Sequence, residues 1–319
     1  MSEINGLPPA DTSPETALPV PNPIPIPSSI STPPALPSPQ TLRSWLPLYL
    51  SKTDSTLTHL SKILSTPSGT DVLLCTLCYS TLLTSNLISR FSIHQIRSTA
   101  RVLIEKAITL PPNTTLFIPT SAIPTPSPSL ILAAARLKAL SGAISDFRTF
   151  GRLWGLLGIY KWAKGAFASK ENGGERDGLV RKITQIQVLA CAAYQILENG
   201  AYLSGKGVLG WSKERQGKAW LWSVRCWMVH VGLDILRLGY EYRKKEKLRK
   251  IEGEKGVEER EREHGEWLER WWKSLIVNCA YAPLTVHWSM EGGLVTEFWV
   301  GLLGTVAGGT GLRHLWRHV

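Results

Sequence analysis

From Leu42 onward apolar residues recur at intervals of three and four, and no stretch alternates with the period of two that marks a half-buried strand. The pattern predicts helices throughout. Between Leu42 and about Ile108 it divides into three pieces. Thr70-Asp71 opens the stretch Val72 to Phe91, and Ile93, Ile96, Leu103, Ile104 and Ala107 share one helix face. Pro111-Pro112 ends this block, and Pro119 to Pro128, rich in Ser and Thr, reads as a surface loop. Further helices are expected over Ser129 to Gly165 and, after a Gly-rich loop from Ser169 to Gly178, from about Leu179 to Leu203. The latter is interrupted by Gln185, Gln187, Gln195, Glu198 and Asn199 and is too polar for a membrane span.

Three later segments bear on the membrane. Ala219 to Tyr240 would reach ~33 Å as an α-helix, near the thickness of a hydrocarbon core. It contains Arg225, His230, Asp234 and Arg237, each costing ~2.5–3.5 kcal/mol if left isolated near a bilayer centre, so they must pair or face inward. Residues 241–272, with ten Lys/Arg and ten Asp/Glu, read as a solvated helix or loop whose leading residues Arg243, Lys244, Lys245 and Lys247 form a juxtamembrane basic cluster. The apolar region Leu275 to Leu312 is divided by Pro283 and by Met290 to Gly293. Within it, Leu294 to Leu312 is the best candidate span, and Gly301, Gly304 and Gly308 offer close helix packing.

On a helical wheel, Ser141 to Gly158 separates into two faces. Ser141, Ser145, Arg148, Thr149 and Arg152 lie on one side, and Phe147, Phe150, Leu153, Trp154 and Leu157 on the other, with Asp146 just inside the apolar arc. Such a helix can lie at the headgroup level. The aromatic and aliphatic residues would insert into lipid, and Arg148 and Arg152 would meet headgroups.

Composition sharpens this picture. The 319 residues carry a formal charge of +11 but are only 19% charged, so the positive excess sits at segment edges and no continuous basic face suits nucleic acid. Thirteen tryptophans favour interfaces with one wet and one apolar side. Five cysteines, an odd number in apolar surroundings, do not form a secreted disulfide framework. Residues 1–40 hold twelve of the twenty-one prolines and are expected to be a disordered tail, leaving 41–319 as the helical domain. The N-terminus lacks the basic start and apolar core of a secretory signal, so membrane entry is expected through internal segments.

Three motifs have plain structural readings. Gly205-Lys-Gly-Val-Leu-Gly210 spells a dinucleotide-binding pattern but follows a helix instead of a strand, which makes Gly205 and Gly207 helix-stop residues. Cys75-Thr-Leu-Cys78 has zinc half-site spacing without nearby ligands, and His230 and Asp234 stand one turn apart with no nucleophile or metal to serve. No catalytic residue, cofactor or metal is expected.

Three segments resemble the peroxisomal biogenesis factor 11 family, in particular its fungal C-type or gamma-like branch. They are Ser145-Asp-Phe-Arg-Thr-Phe-Gly-Arg-Leu-Trp-Gly-Leu-Leu-Gly158, Tyr194-Gln-Ile-Leu-Glu-Asn-Gly-Ala-Tyr-Leu203, and Pro283-Leu-Thr-Val-His-Trp-Ser-Met-Glu-Gly-Gly-Leu-Val295 running into Phe298-Trp-Val-Gly-Leu-Leu-Gly-Thr-Val306. The resemblance implies an all-α protein embedded in the peroxisomal membrane, with amphipathic helices, that promotes elongation and fission of the organelle and so controls peroxisome number. It implies partners: membrane lipids, family members in homo- or hetero-oligomers, and the fission machinery, but no nucleic acid. It also places a membrane-active helix near the N-terminus, by position Asp71 to Phe91. Only Arg90 is basic there and the leucines point all round, so the wedging role passes to Ser141–Gly158. The alternative is a small-metabolite pore lined by Gln185, Gln195, Glu198, Arg225 and Asp234.

Overall fold

A computed structural model describes residues 39–111, 114, 127–168, 177–251 and 257–318. The proline-rich tail, apart from residues 39 and 40, lies outside the described residues, as do most of the loop from Pro119 and of the Gly-rich loop from Ser169. The described residues form helices and no strands: α1 (Pro39–Leu64), α2 (Pro67–Ile108), α3 (Pro128–Gly151), a 3-10 turn (Arg152–Trp154), α4 (Gly155–Phe167), α5 (Gly178–Gly205), α6 (Lys213–Ile251), α7 (Val257–Trp288) and α8 (Glu297–His318). The chain divides between Thr53 and Asp54 into two units. In the first, Thr53 donates its hydroxyl to the Tyr49 carbonyl at 2.7 Å. All that follows concerns the second.

The three expected pieces before Ile108 are two helices. Thr66 opens α2, its hydroxyl accepting from the Gly69 amide at 3.1 Å, while Pro67 supplies a preset φ at the first helical position. No proline or glycine occurs from Thr70 to Ile108, and the helix is already open at Pro67, so Thr70-Asp71 lies inside it instead of opening it. At 42 residues α2 is long enough to outreach a bilayer. Pro283, expected to divide the last apolar region, sits within α7, which continues to Trp288. The reversal comes at Gly292 and Gly293, whose φ angles of 85° and 71° favour glycine. There the His287 ring accepts the amides of Leu294 and Val295 through Nδ1, at 2.7 and 3.0 Å. α5 stops as its motif predicts: Gly207 has φ of 78°, and the Val208 amide reaches back to the Leu203 carbonyl at 2.9 Å.

Successive neighbours pack antiparallel. α2 lies between α3 and α8, and the chain of contacts continues from α8 to α7, α6, α5 and α4. Two seams on α2 are built from small residues. Each step of seven along α2 meets a step of seven back along α3: Arg148 pairs with Asp71, Ser141 donates to the Cys78 carbonyl at 2.8 Å, and Ser85 donates to the Ala134 carbonyl at 2.7 Å. On the other side, a Cβ at Gly301 or Gly308 would come within 2.9 Å of the backbone of Leu83 or Thr76, and one at Gly304 would enter the Tyr79 ring. Backbones this close maximise dispersion and need no hydrophobic drive between helices, which is how helices associate in lipid.

Polarity is distributed inside out. Ser85, Ser92, Ser141, Gln187, Gln195, Glu198, Ser223, Thr285 and Ser289 are buried, while Ile108, Leu189, Leu236 and many other large apolar residues are exposed. Burying a large apolar side chain fully is worth ~1.5–3 kcal/mol, so this surface favours contact with an apolar medium or partner. Among the described helices, α2 is long and apolar enough to cross a membrane, and only 17% of its most apolar window is buried within the protein, unlike the core helix of a soluble domain.

Candidate membrane-insertion site

The segment expected to be one amphipathic helix is two. α3 ends at Gly151, the chain tightens through the 3-10 turn Arg152–Trp154, and α4 resumes at Gly155. The turn is held by α5. Gln195 donates its amide to the Arg152 carbonyl at 2.9 Å and to Asn199 Oδ1 at 2.7 Å, and Asn199 donates to the Leu153 carbonyl at 3.2 Å. Carbonyls at a helix break would be costly if left bare in a low-dielectric setting, and these two amides satisfy them. Gly155 permits the approach, since a Cβ there would lie 2.6 Å from Gln195 Oε1.

Ser141, Arg148 and Arg152 of the polar face point into the protein, while Ser145 is exposed. Arg148 makes two bonds to Asp71, Nε to Oδ1 at 2.8 Å and Nη2 to Oδ2 at 3.2 Å. Arg152 makes two to Glu198, Nε to Oε2 at 3.0 Å and Nη2 to Oε1 at 2.8 Å. Arg148 and Arg152, expected to meet lipid headgroups, each have the guanidinium engaged by a bidentate carboxylate on a neighbouring helix. The far end of α4 is tied the same way, with Gln185 donating to the Ala166 carbonyl at 3.3 Å and Arg181 to the Ala168 carbonyl at 3.1 Å.

What this strapping leaves outside is the aromatic face. Phe147 is 59%, Trp154 60% and Leu157 66% exposed; Phe150 is also exposed and meets the Trp154 ring edge-on at 5.6 Å, while Leu153 is half-buried. Tyr160, Lys161, Lys164 and Phe167 extend the exposed strip along α4. The two lysines, which sequence reasoning passed over, add cationic heads on long stems to this exposed strip.

The remaining expected residues fall elsewhere. Gly301, Gly304 and Gly308 face α2 in the same chain. Of the basic cluster, Arg243 and Lys247 are exposed on α6, Lys245 lies 5.2 Å over the Trp267 ring, and Lys244 pairs with Asp177 at 2.9 Å. Asp177 also receives the Tyr240 hydroxyl at 2.5 Å and caps α5 through the Leu179 amide, and these bonds, Tyr240 first, hold its carboxyl down at about 2.

In Ala219–Tyr240 Arg225, Asp234 and Arg237 are partnered, whereas His230 meets the Trp162 ring edge-on at 6.0 Å and its buried Nδ1 has no hydrogen-bond partner. Asp234 accepts from Arg237, Gln187 and Asn278, and Arg225 reaches the Ser289 carbonyl at 3.4 Å. The polar residues considered for a pore are thus engaged across helix interfaces. Cys75 and Cys78 are buried, the first 3.3 Å from the Tyr281 hydroxyl and the second 3.4 Å from the Ser141 carbonyl. Asp71 and Asn199 were missed as site residues, and Gln195 was read only as lining a pore. The signals were an acid opening an apolar stretch and two amides within the family-like segment Tyr194–Leu203.

Comparison with known proteins bears on this geometry. An uncharacterized protein of Schizosaccharomyces pombe is 30% identical over 112 residues, which are 35% of this chain and 47% of that protein. The chain thus spans about half the length of the curated relative it matches. No solved structure matches. The family model for peroxisomal biogenesis factor 11 (PEX11) matches residues 129–316, from the start of α3 almost to the end of α8, and so covers both the strapped turn and the glycine seam. More than half of the chain lies within that match, and the chain belongs to the peroxisomal biogenesis factor 11 family, proteins of the peroxisomal membrane involved in peroxisome biogenesis and proliferation.

Proposed function

We propose that this protein elongates the peroxisomal membrane by seating the outer face of α3 and α4 in one leaflet. The observation that carries this reading is the inversion of that segment. Arg148 and Arg152 are turned inward onto Asp71 and Glu198, while Phe147, Phe150, Trp154 and Leu157 are turned out. A strip held rigidly by a helical bundle occupies headgroup-level area in one leaflet without matching area in the other, and curvature follows when many copies gather. The glycine seam is consumed within the chain, so self-association would use another exposed apolar face, such as Leu87 and Phe91 on α2. Elongated membrane would then be the substrate for the fission machinery.

The test is reconstitution of the full-length chain into anionic liposomes, followed by electron microscopy. Wild-type protein should draw tubules. The variant Phe147→Ser/Phe150→Ser/Trp154→Ser should co-float with the vesicles yet leave them spherical. Equal tubulation by the variant would remove α3 and α4 from the mechanism.

A further inference from the structure

Near the end of α8, His314 and His318 stand one turn apart on the same side, with ring centroids 4.4 Å apart, and Glu269 faces them from α7. One potential ligand atom from each of the three lies within 4.8 Å of the others. His318 Nε2 is 3.9 Å from Glu269 Oε1, and the buried Nδ1 of His314 has no hydrogen-bond partner. They border a cavity of about 340 Å³ completed by Glu266 and Arg270.

We propose that Glu269, His314 and His318 form a site for a divalent transition ion of the zinc type, joining α7 to the last turns of α8. Two imidazoles at i and i+4 with one carboxylate form a donor set that zinc accepts in tetrahedral geometry with a fourth position open, and imidazole selects against magnesium and calcium. Bond lengths near ~2.1 Å require the three donors to draw closer than they now stand, which rotation of two exposed side chains, Glu269 and His318, permits. Arg317, donating to Glu269 at 3.2 Å, orients the carboxylate from outside. The surrounding Arg270, Lys273 and Arg317 oppose a cation, so the site must bind through its ligands and not through bulk negative charge.

The experiment uses the untagged full-length chain in detergent micelles, stripped with chelator and titrated with cobalt(II). Saturation at one equivalent with the intense visible bands of a four-coordinate ion, displacement by zinc, and a rise in thermal midpoint with zinc but not magnesium are expected. His318→Ala, an exposed change in the last turn that leaves the apo melting temperature unaltered, should weaken binding at least about tenfold; His314→Gln and Glu269→Gln should do likewise. Binding unaltered in His318→Ala, or only the weak bands of hexaaqua cobalt in the wild type, would overturn the site.

Discussion

Arg152 in the α3–α4 break and Glu198 on α5 face each other as a two-pronged ion pair, with bonds of 2.8 and 3.0 Å and the Glu198 side chain only 6% exposed. The pair is the pin on which the aromatic strip turns outward. A carboxylate so enclosed loses more when its partner is removed than the intact pair contributes. Arg152→Met alone, which leaves the Glu198 carboxylate enclosed without its partner, should therefore destabilise the fold by about 3–5 kcal/mol, whereas Arg152→Met/Glu198→Leu together should cost much less. Unfolding of the full-length chain in mixed micelles by denaturing detergent, run as a double-mutant cycle, measures the difference.

Gln195 and Asn199 cap carbonyls that the 3-10 turn releases. Replacing Gln195 with Leu leaves the Arg152 carbonyl with the Gly155 amide but without its side-chain donor, and should cost about 0.5–1.5 kcal/mol. Hydrogen exchange should show faster amide exchange concentrated at residues 151–157, with α6 and α7 unaffected.

Gly304 admits the Tyr79 ring against the α8 backbone. Gly304→Val overpacks this seam, and rigid backbones on both sides leave the ring little room to yield, so a loss of about 1–3 kcal/mol or more is expected. Gly309→Ala, with nothing near its added Cβ, is the control and should melt like the parent.

Asp177 yields a pH prediction. Bonds from Tyr240 and Lys244 hold its folded pKa at about 2, below that of an unfolded aspartate near ~3.9. A depressed carboxyl contributes stability that is fully present above the unfolded value and is lost as pH falls through the folded one. Between about pH 4 and pH 2, then, wild type should lose stability relative to Asp177→Asn, and the gap should close at the low end. Paired thermal melts followed by circular dichroism across that range provide the measurement.

The all-helical class and the helix ends at Gly207 and Gly292–Gly293 could be read from the chain, because apolar spacing and left-handed glycines act locally. The two faces of Ser141–Gly158 were also legible, but not which face looks inward. That depends on Asp71 and Glu198, which lie 77 and 46 residues away from Arg148 and Arg152 and convert an apparent headgroup-binding face into an interior one. The same long-range accounting explains Pro283: one missing donor does not break a helix whose neighbours hold it on both sides. The glycines of α8 announced close packing in their spacing, while their partner, α2 of the same chain, was set by topology.

The central claim is that the outer face of α3 and α4 rests in lipid. Nitroxide labels placed singly at 148, 150, 154 and 157 of the full-length protein in anionic liposomes test it by paramagnetic accessibility. The account predicts that labels at 150, 154 and 157 collide with oxygen and are shielded from a water-soluble nickel chelate, while the label at 148 is shielded from both. Ready access of the chelate to 150, 154 and 157 would mean that this face meets water, and the account would fail.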